Sequence, residues 1–280
     1  MARELAYFEN VAGTSRCYID DVNNGYKSTL TLPFDYADRT DSNVGIFDAG
    51  ISYDYIETEM MLYMTAERID QLISFFHAHM RTESVVFKAP ESWGMYAFGP
   101  MFAVDKEFTV VITNFQSLGQ IDSPYLYHAL KVSMVLSDMT DILSPATPSC
   151  VEPGTISIAE VSNIRFPQGM FKPDDTYEYY TSTTLGGEVY QVTRSSAADK
   201  KYTSFELYTG NAVGGQLIYK LMAITRANPF IMQVPKNSYP FGYEAGDNAG
   251  FLCKLISNNI TMQHEEYQDW RIGLSLIKVS

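Results

Sequence analysis

Among the chain's four histidines, His77 and His79 have an HxH spacing that invites a metal ion. On a helix, residues two apart point about 200° away from each other and cannot share one ion. The pair converges only if the helix stops before His77, and no third ligand stands near, so no metal site is expected. His128 lies in an apolar run and is expected as a core or edge residue, while His264, Glu265 and Glu266 are expected in a charged, solvated loop. No GxSxG elbow, phosphate-binding GxxxxGK[ST] loop or dinucleotide GxGxxG motif occurs, and Gly94 and Gly99 fit no phosphate cradle. Asp20-Asp21, Asp174-Asp175 and Glu265-Glu266 read as solvated surface, and Asp41 to Asp48 matches a calcium loop only loosely. No catalytic residue, cofactor-binding residue or metal ligand is therefore assigned, no cofactor is implied, and the chain is not expected to be an enzyme. Tyr36, Tyr53, Tyr55, Tyr177, Tyr179 and Tyr180 could stack on sugar, but strand tyrosines more commonly pack at subunit contacts.

Composition bounds the partners. The 280 residues are 46% hydrophobic and 19% charged, the balance of a folded protein. Tyr (20) and Phe (16) favour strands and buried interfaces. A formal net charge of −13 argues against conventional nucleic-acid wrapping and against anionic membrane, though not against a channel through which DNA passes without sticking. The three cysteines, Cys17, Cys150 and Cys253, are far apart and odd in number, as expected of free thiols in a reducing compartment. MARELAYFEN has no apolar run after its Arg, and no stretch reaches the ~20 apolar residues of a membrane span, so a soluble, cytosolically made protein is expected.

The elements that must position any site come in two copies. Thr58 to Pro90 matches Thr203 to Pro235 without a gap at a spacing of 145, with identities at Thr58/Thr203, Leu62/Leu207, Tyr63/Tyr208, Gln71/Gln216, Leu72/Leu217, Ile73/Ile218, Arg81/Arg226 and Pro90/Pro235. Each copy reads as strand, short amphipathic helix, strand. In the first, Thr65 is a good N-cap and Ile69, Leu72, Ile73, Phe76 and Met80 form the apolar stripe. In the second, Val213, Leu217, Ile218 and Leu221 form it, and Gly214-Gly215 weakens the first turn. Before these units, Ser28 to Tyr36 reads as a strand demoted toward an edge by Pro33. Val44 to Met64 reads as one long strand with mixed faces, suited to a subunit contact or a water-filled space. Phe251 to Ile256 answers Phe108 to Thr113 at a spacing of 143, and Trp270 to Leu276 answers Leu130 to Leu136 at 140. The expected division is residues 1–143, a Pro-rich linker at 144–154, and 155–280, two tandem β-sandwich or barrel domains with one short helix each.

A duplicated β-sandwich with one helix between strands, an acidic composition and no catalytic motif resembles the tail-tube fold of tailed bacteriophages, which builds tail tubes, distal-tail rings and baseplate hubs. The resemblance rests on Thr58 to Pro90 and Thr203 to Pro235, with Leu126 to Leu136 and Trp270 to Leu276. It implies a structural virion protein self-associating into a trimeric or hexameric ring. It also implies neighbouring tail or baseplate proteins as partners, DNA passing through the lumen without specific binding, and no membrane. Val44 to Met64, and its counterpart near Glu188 to Tyr208, would line an acidic lumen and meet other subunits. The alternative is a carbohydrate-binding receptor-recognition β-sandwich, using Trp93 and Tyr96 with Tyr239 and Phe241 in the second copy.

Overall fold

A computed structural model describes residues 6–19, 27–32, 34–38, 44–48, 54–79, 84–89, 98–102, 106–121, 127–136, 138–139, 155–165, 172–175, 179–183, 189–193, 201–224, 229–235, 249–265 and 269–279. The chain is mainly β with two helices. The first half holds β1 (Ala6–Asn10), β2 (Arg16–Ile19), β3 (Lys27–Thr31), β4 (Phe34–Asp38), β5 (Val44–Asp48), β6 (Tyr55–Met64), α1 (Ala66–His79), β7 (Val85–Lys88), β8 (Glu107–Gln120) and β9 (His128–Leu136). The second holds β10 (Ile156–Ile158), β11 (Val161–Ile164), β12 (Lys172–Asp175), β13 (Tyr179–Thr183), β14 (Val189–Thr193) and β15 (Lys201–Gly210). It continues with α2 (Asn211–Ile224), β16 (Phe230–Val234), β17 (Ala249–Leu255), β18 (Asn259–His264) and β19 (Asp269–Lys278).

Local sequence accounts for the central unit. In β6, Ile56, Thr58, Met60, Leu62 and Met64 are buried, while Glu57 and Glu59, between them, are exposed. This is the period-2 pattern of a half-buried strand. The strand ends at Thr65, whose carbonyl accepts the Ile69 amide at 3.1 Å. Glu67 sits in the first turn of α1, favoured by the helix dipole. Ile69, Leu72, Phe75 and Phe76 then turn into the core; Ile73 packs at its margin. In α2 the same work falls to Leu217, Ile218 and Leu221, all fully buried. Met80 lies outside the described residues.

Pairing order repeats along with sequence. Read from one margin, the first half runs β2, β1, β7, β8, β9, β6, β3. The second runs β11, β10, β16, β17, β19, β15, β12, with β18 continuing the line of β17. All pairs are antiparallel; each half combines a meander with two longer-range pairings, β6 with β9 and β1 with β7 in the first, β15 with β19 and β10 with β16 in the second. The separate hairpins β4/β5 and β13/β14 also stand 145 apart, as do β3 and β12 at Lys27 and Lys172. The repeat therefore reaches forward of the stretch where sequence identity shows it. Phe87 faces Phe108 and Met232 faces Phe251, which reproduces the 143 spacing of β8 and β17. The closing strands differ from the expected 140. Thr58 faces Met134 and Thr203 faces Leu276, a spacing of 142. A slip of two residues keeps every side chain on its own face, so hydrophobic pattern alone could not detect it.

Two expected strands are each split in the structure. Ser28 to Tyr36 is not one strand: β3 stops at Thr31, and β4 starts at Phe34. Val44 to Met64 is likewise two strands, β5 and β6, with 49–53 between them outside the described residues. Residues 44–48, the latter part of the loose calcium-loop match, pair with β4 as a strand, and Asp41 to Asn43 lie outside the described residues. The expected linker at 144–154 lies outside the described residues.

The repeats differ where two buried threonines meet their neighbours. Thr58 and Ser28 sit opposite one another, and their hydroxyls bond at 2.9 Å with no solvent contact. The second-half position opposite Thr203 is Pro173, which has no hydroxyl, and Thr203 Oγ1 is buried without a hydrogen-bond partner among the described residues. Thr58→Val removes the buried Ser28–Thr58 hydrogen bond and is expected to cost about 1 kcal/mol. Thr203→Val removes an already unpaired hydroxyl and is expected to be neutral or stabilising. Chemical-denaturation midpoints of the two variants check the difference, and equal losses would contradict it.

Candidate functional site

The residues singled out for chemistry are scattered. His77 and His79 both lie within α1, which runs through His79; the first packs edge-on against Phe115 with centroids 5.2 Å apart, and the second lies 4.7 Å from Phe75. His128 is a half-buried strand residue facing Met64 and Gln120. His264 corrects the expectation of a solvated loop: it ends β18, is buried, and meets the Trp270 ring edge-on at 5.2 Å. The strand continues that far because His264 pairs with Trp270, whose indole N–H donates to Asn211 Oδ1 at 2.7 Å. Glu265 pairs with Arg271. Among the described residues, no three histidine, cysteine or acidic side chains gather as a metal would need. Trp93, Tyr96, Tyr239 and Phe241 lie outside them. Burial pushes the Cys253 thiol up to about 12, and burial also raises Cys17, so neither is a ready nucleophile at neutral pH.

A groove of about 800 Å³ runs between β2 and α1, lined by Arg16, Cys17, Arg68, Gln71, Ser74 and His79. Arg16 is engaged within the fold: Glu9 accepts its Nε and Nη2 hydrogen bonds at 3.1 and 3.0 Å, and its guanidinium lies 4.1 Å from the Tyr7 ring centre. Burial, with a 2.6 Å hydrogen bond donated to Glu107, pushes Tyr7 up to about 12. A raised acid favours the folded state while protonated. The Tyr7–Glu107 contribution is thus expected to be full below pH ~10 and lost as pH climbs through about 12. An alkaline unfolding midpoint that Tyr7→Phe leaves unmoved would contradict this.

The geometry that does converge is an edge-to-edge joint. β18 has β19 on one side and β3 of the first half on the other, so both halves belong to one hydrogen-bonded path. Asn259 to Gln263 pair with Thr31 to Lys27 in unbroken antiparallel register. The Leu32 amide donates to the Asn258 carbonyl at 2.8 Å, and Thr31 Oγ1 donates to Asn259 Oδ1 at 3.1 Å. A second contact flanks the ladder. Gly214 and Gly215 of α2 lie against Pro100 and Met101 of the first half. A methyl on Gly215 would stand 2.6 Å from the Pro100 carbonyl oxygen. The glycine pair that weakens a helix in isolation here admits a neighbouring backbone.

Cross-strand partners share a face, so the joint also carries a surface across both halves. One row runs Val111, Val135, Glu57, Thr29, Thr261, Gly273, Glu206 through β8, β9, β6, β3, β18, β19 and β15. A second runs Ser133, Glu59, Lys27, Gln263, Arg271, Tyr208. No residue of either row is buried, whereas the row between them, Met134, Thr58, Ser28, Met262, Ile272 and Leu207, is. On this face Glu57, Glu59, Glu206, Glu265 and Asp269 stand with Lys27, Lys131 and Arg271; Lys131 lies 2.9 Å from Glu59, and Arg271 is shared between Glu265 and Glu206, 3.9 Å from the latter. Sequence reasoning placed a mixed-face strand over Val44 to Met64, which holds Glu57 and Glu59, but not the cations beside them, because Lys27, Lys131 and Arg271 come from strands whose register it did not fix.

No protein-family model and no curated protein matches the sequence. No helix among the described residues is long and apolar enough to cross a membrane.

Gly→Ala inside a helix ordinarily stabilises by about 1 kcal/mol. Gly215→Ala is expected to reverse that sign and cost about 1–3 kcal/mol, because the added carbon meets a backbone oxygen rather than a pliable side chain. Thermal and denaturant unfolding read the sign directly, and a stabilised variant would place Pro100 away from α2.

Proposed function

We propose that the chain is a structural protein of a phage tail, a ring-forming subunit built from two tandem domains of tail-tube type. The observation that carries this reading is the joint. Two repeats with one strand order stand side by side, linked edge to edge by β18 and β3, as neighbouring positions of a ring must be. A ring whose positions are all filled by such repeats needs half as many chains as positions, so three chains would supply six. The continuous solvent-facing rows then form the inner wall of the channel, in a tube segment or in a distal-tail or baseplate ring contacting neighbouring tail proteins.

The chemistry of that wall suits passage of DNA. Affinity for the phosphate backbone comes from uncompensated Lys and Arg, and here each described cation of the two rows has a carboxylate as neighbour. Such a wall gives a passing duplex neither strong attraction nor a high electrostatic barrier.

Negative-stain imaging with light scattering across a concentration series tests the reading. Rings or stacked tubes with a central hole, at three or six chains per layer, are expected. A protein that stays monomeric at every concentration, alone and with its tail neighbours, would overturn it.

A further inference from the structure

The joint within the chain uses one edge from each half, and each half owns both kinds of edge. The second half supplies the edge of β18, while the first supplies β3. The equivalents left over are the far part of β8 in the first half and β12 in the second. β8 pairs with β7 only from Glu107 to Val110, so among the described residues its β7-side edge is unpaired beyond that point. Thr113, Asn114, Gln116, Ser117, Leu118 and Gln120 along it are exposed. β12 pairs with β15 on one side, and no described strand lies on its other.

We infer that these two edges form the joint between chains: β8 of one copy pairs antiparallel with β12 of the next, head to tail. The register follows from the joint already made. Thr261 faces Gly273 and Gln116 faces Lys131, equivalent places on β19 and β9, so Gln116 stands where Thr261 does. Thr29 faces Glu57 and Asp174 faces Tyr202, equivalent places on β6 and β15, so Asp174 stands where Thr29 does. Thr261 pairs with Thr29. Gln116 of one copy therefore pairs with Asp174 of the next, with Phe115 opposite Asp175 and Ser117 opposite Pro173. Charge permits this: Thr113 to Gln120 (TNFQSLGQ) holds no charged residue, so the two aspartates meet no like charge. Pro173 and the aspartates mark β12 as an edge guarded against indiscriminate strand addition, which a single specific partner must still match.

Because the contact is between two different surfaces, it propagates and closes only if its rotation matches that of the internal joint. Closure is where this inference rests on the ring reading; the pairing of edges does not need it. The test mixes full-length chains carrying Gln116→Cys with chains carrying Asp174→Cys and oxidises them, the parent chain giving the background from native thiols. A covalent dimer is expected from the mixture only, and none when Tyr18→Cys on the β2 margin replaces either partner. The double variant Gln116→Cys/Asp174→Cys should give a ladder ending at the ring's chain number. Rings by imaging with no cross-link here or at the flanking pairs Phe115/Asp175 and Ser117/Pro173 would overturn the joint and leave the ring reading standing. A cross-link with open filaments and no rings would support the joint and overturn closure. Monomers at every concentration, alone and with tail neighbours, and with no cross-link would overturn both.

Discussion

Backbone N–H and C=O groups at the margin of a β-sheet must be satisfied by water, by another strand, or by another molecule. In this chain the rest of the structure depends on how one such margin is filled. β3 is the last strand of the first half and would be a bare edge by itself. The β18 ladder fills it, with Leu32 and Thr31 reaching Asn258 and Asn259 to lock the end of the register. Once that ladder is set, the exposed rows of both halves become one surface, and the buried rows become one core from Phe8 to Leu276.

The joint also explains where the repeats diverge. In the first half β8 is a single strand that bulges between Ile112 and Asn114. At the same place the second half breaks fully, β17 ending at Leu255 and β18 restarting at Asn259. The break has its own support: the Ile256 amide donates to the Ser275 carbonyl at 3.1 Å, and the Asn259 amide donates to Ser257 Oγ at 3.1 Å. A strand that must serve β16 first and β3 afterwards gains from a corner between the two, and a bulge or break is how a sheet makes one.

How much of this could be read from sequence follows from what each signal encodes. The strand–helix–strand unit was legible because identities at Leu62, Tyr63, Gln71, Leu72 and Ile73 recur without a gap, and because an apolar stripe at helical spacing does not fit the two-residue period of a strand. The front of the repeat was not, since KSTL of β3 and KPDD of β12 share only Lys27/Lys172 and the fold equates them through pairing rather than identity. The two-residue error at β9 and β19 has the same root: apolar alternation survives a slip of two. His264 was misread because one charged neighbourhood, HEE, hid a residue held by Trp270 across the strand pair. The cations of the sheet face could not be placed from sequence, because net charge is a sum over the chain, whereas a face is selected by register.

The two joints of the proposed ring cannot be equal in strength, and the reason lies in α1 and α2. The internal joint has a ladder and a second contact, Pro100 and Met101 against Gly214 and Gly215. The matching positions of α1 are Ile69 and Asp70. Ile69 is already committed to the first half's own core, and Asp70 is exposed on the helix. A backbone cannot approach α1 there as Pro100 approaches α2, because side chains occupy the space that the glycines leave open. The joint between chains thus keeps its ladder without that second contact, and carries Pro173, one fewer donor, where the internal joint carries Ser28. Covalent tandem linkage also spares the internal joint the translational entropy that separate chains must lose. Halves that stay together while chains come apart are the consequence. A duplicated subunit of this kind can fold completely before it assembles, and leave the closing of the ring to concentration and to its neighbours.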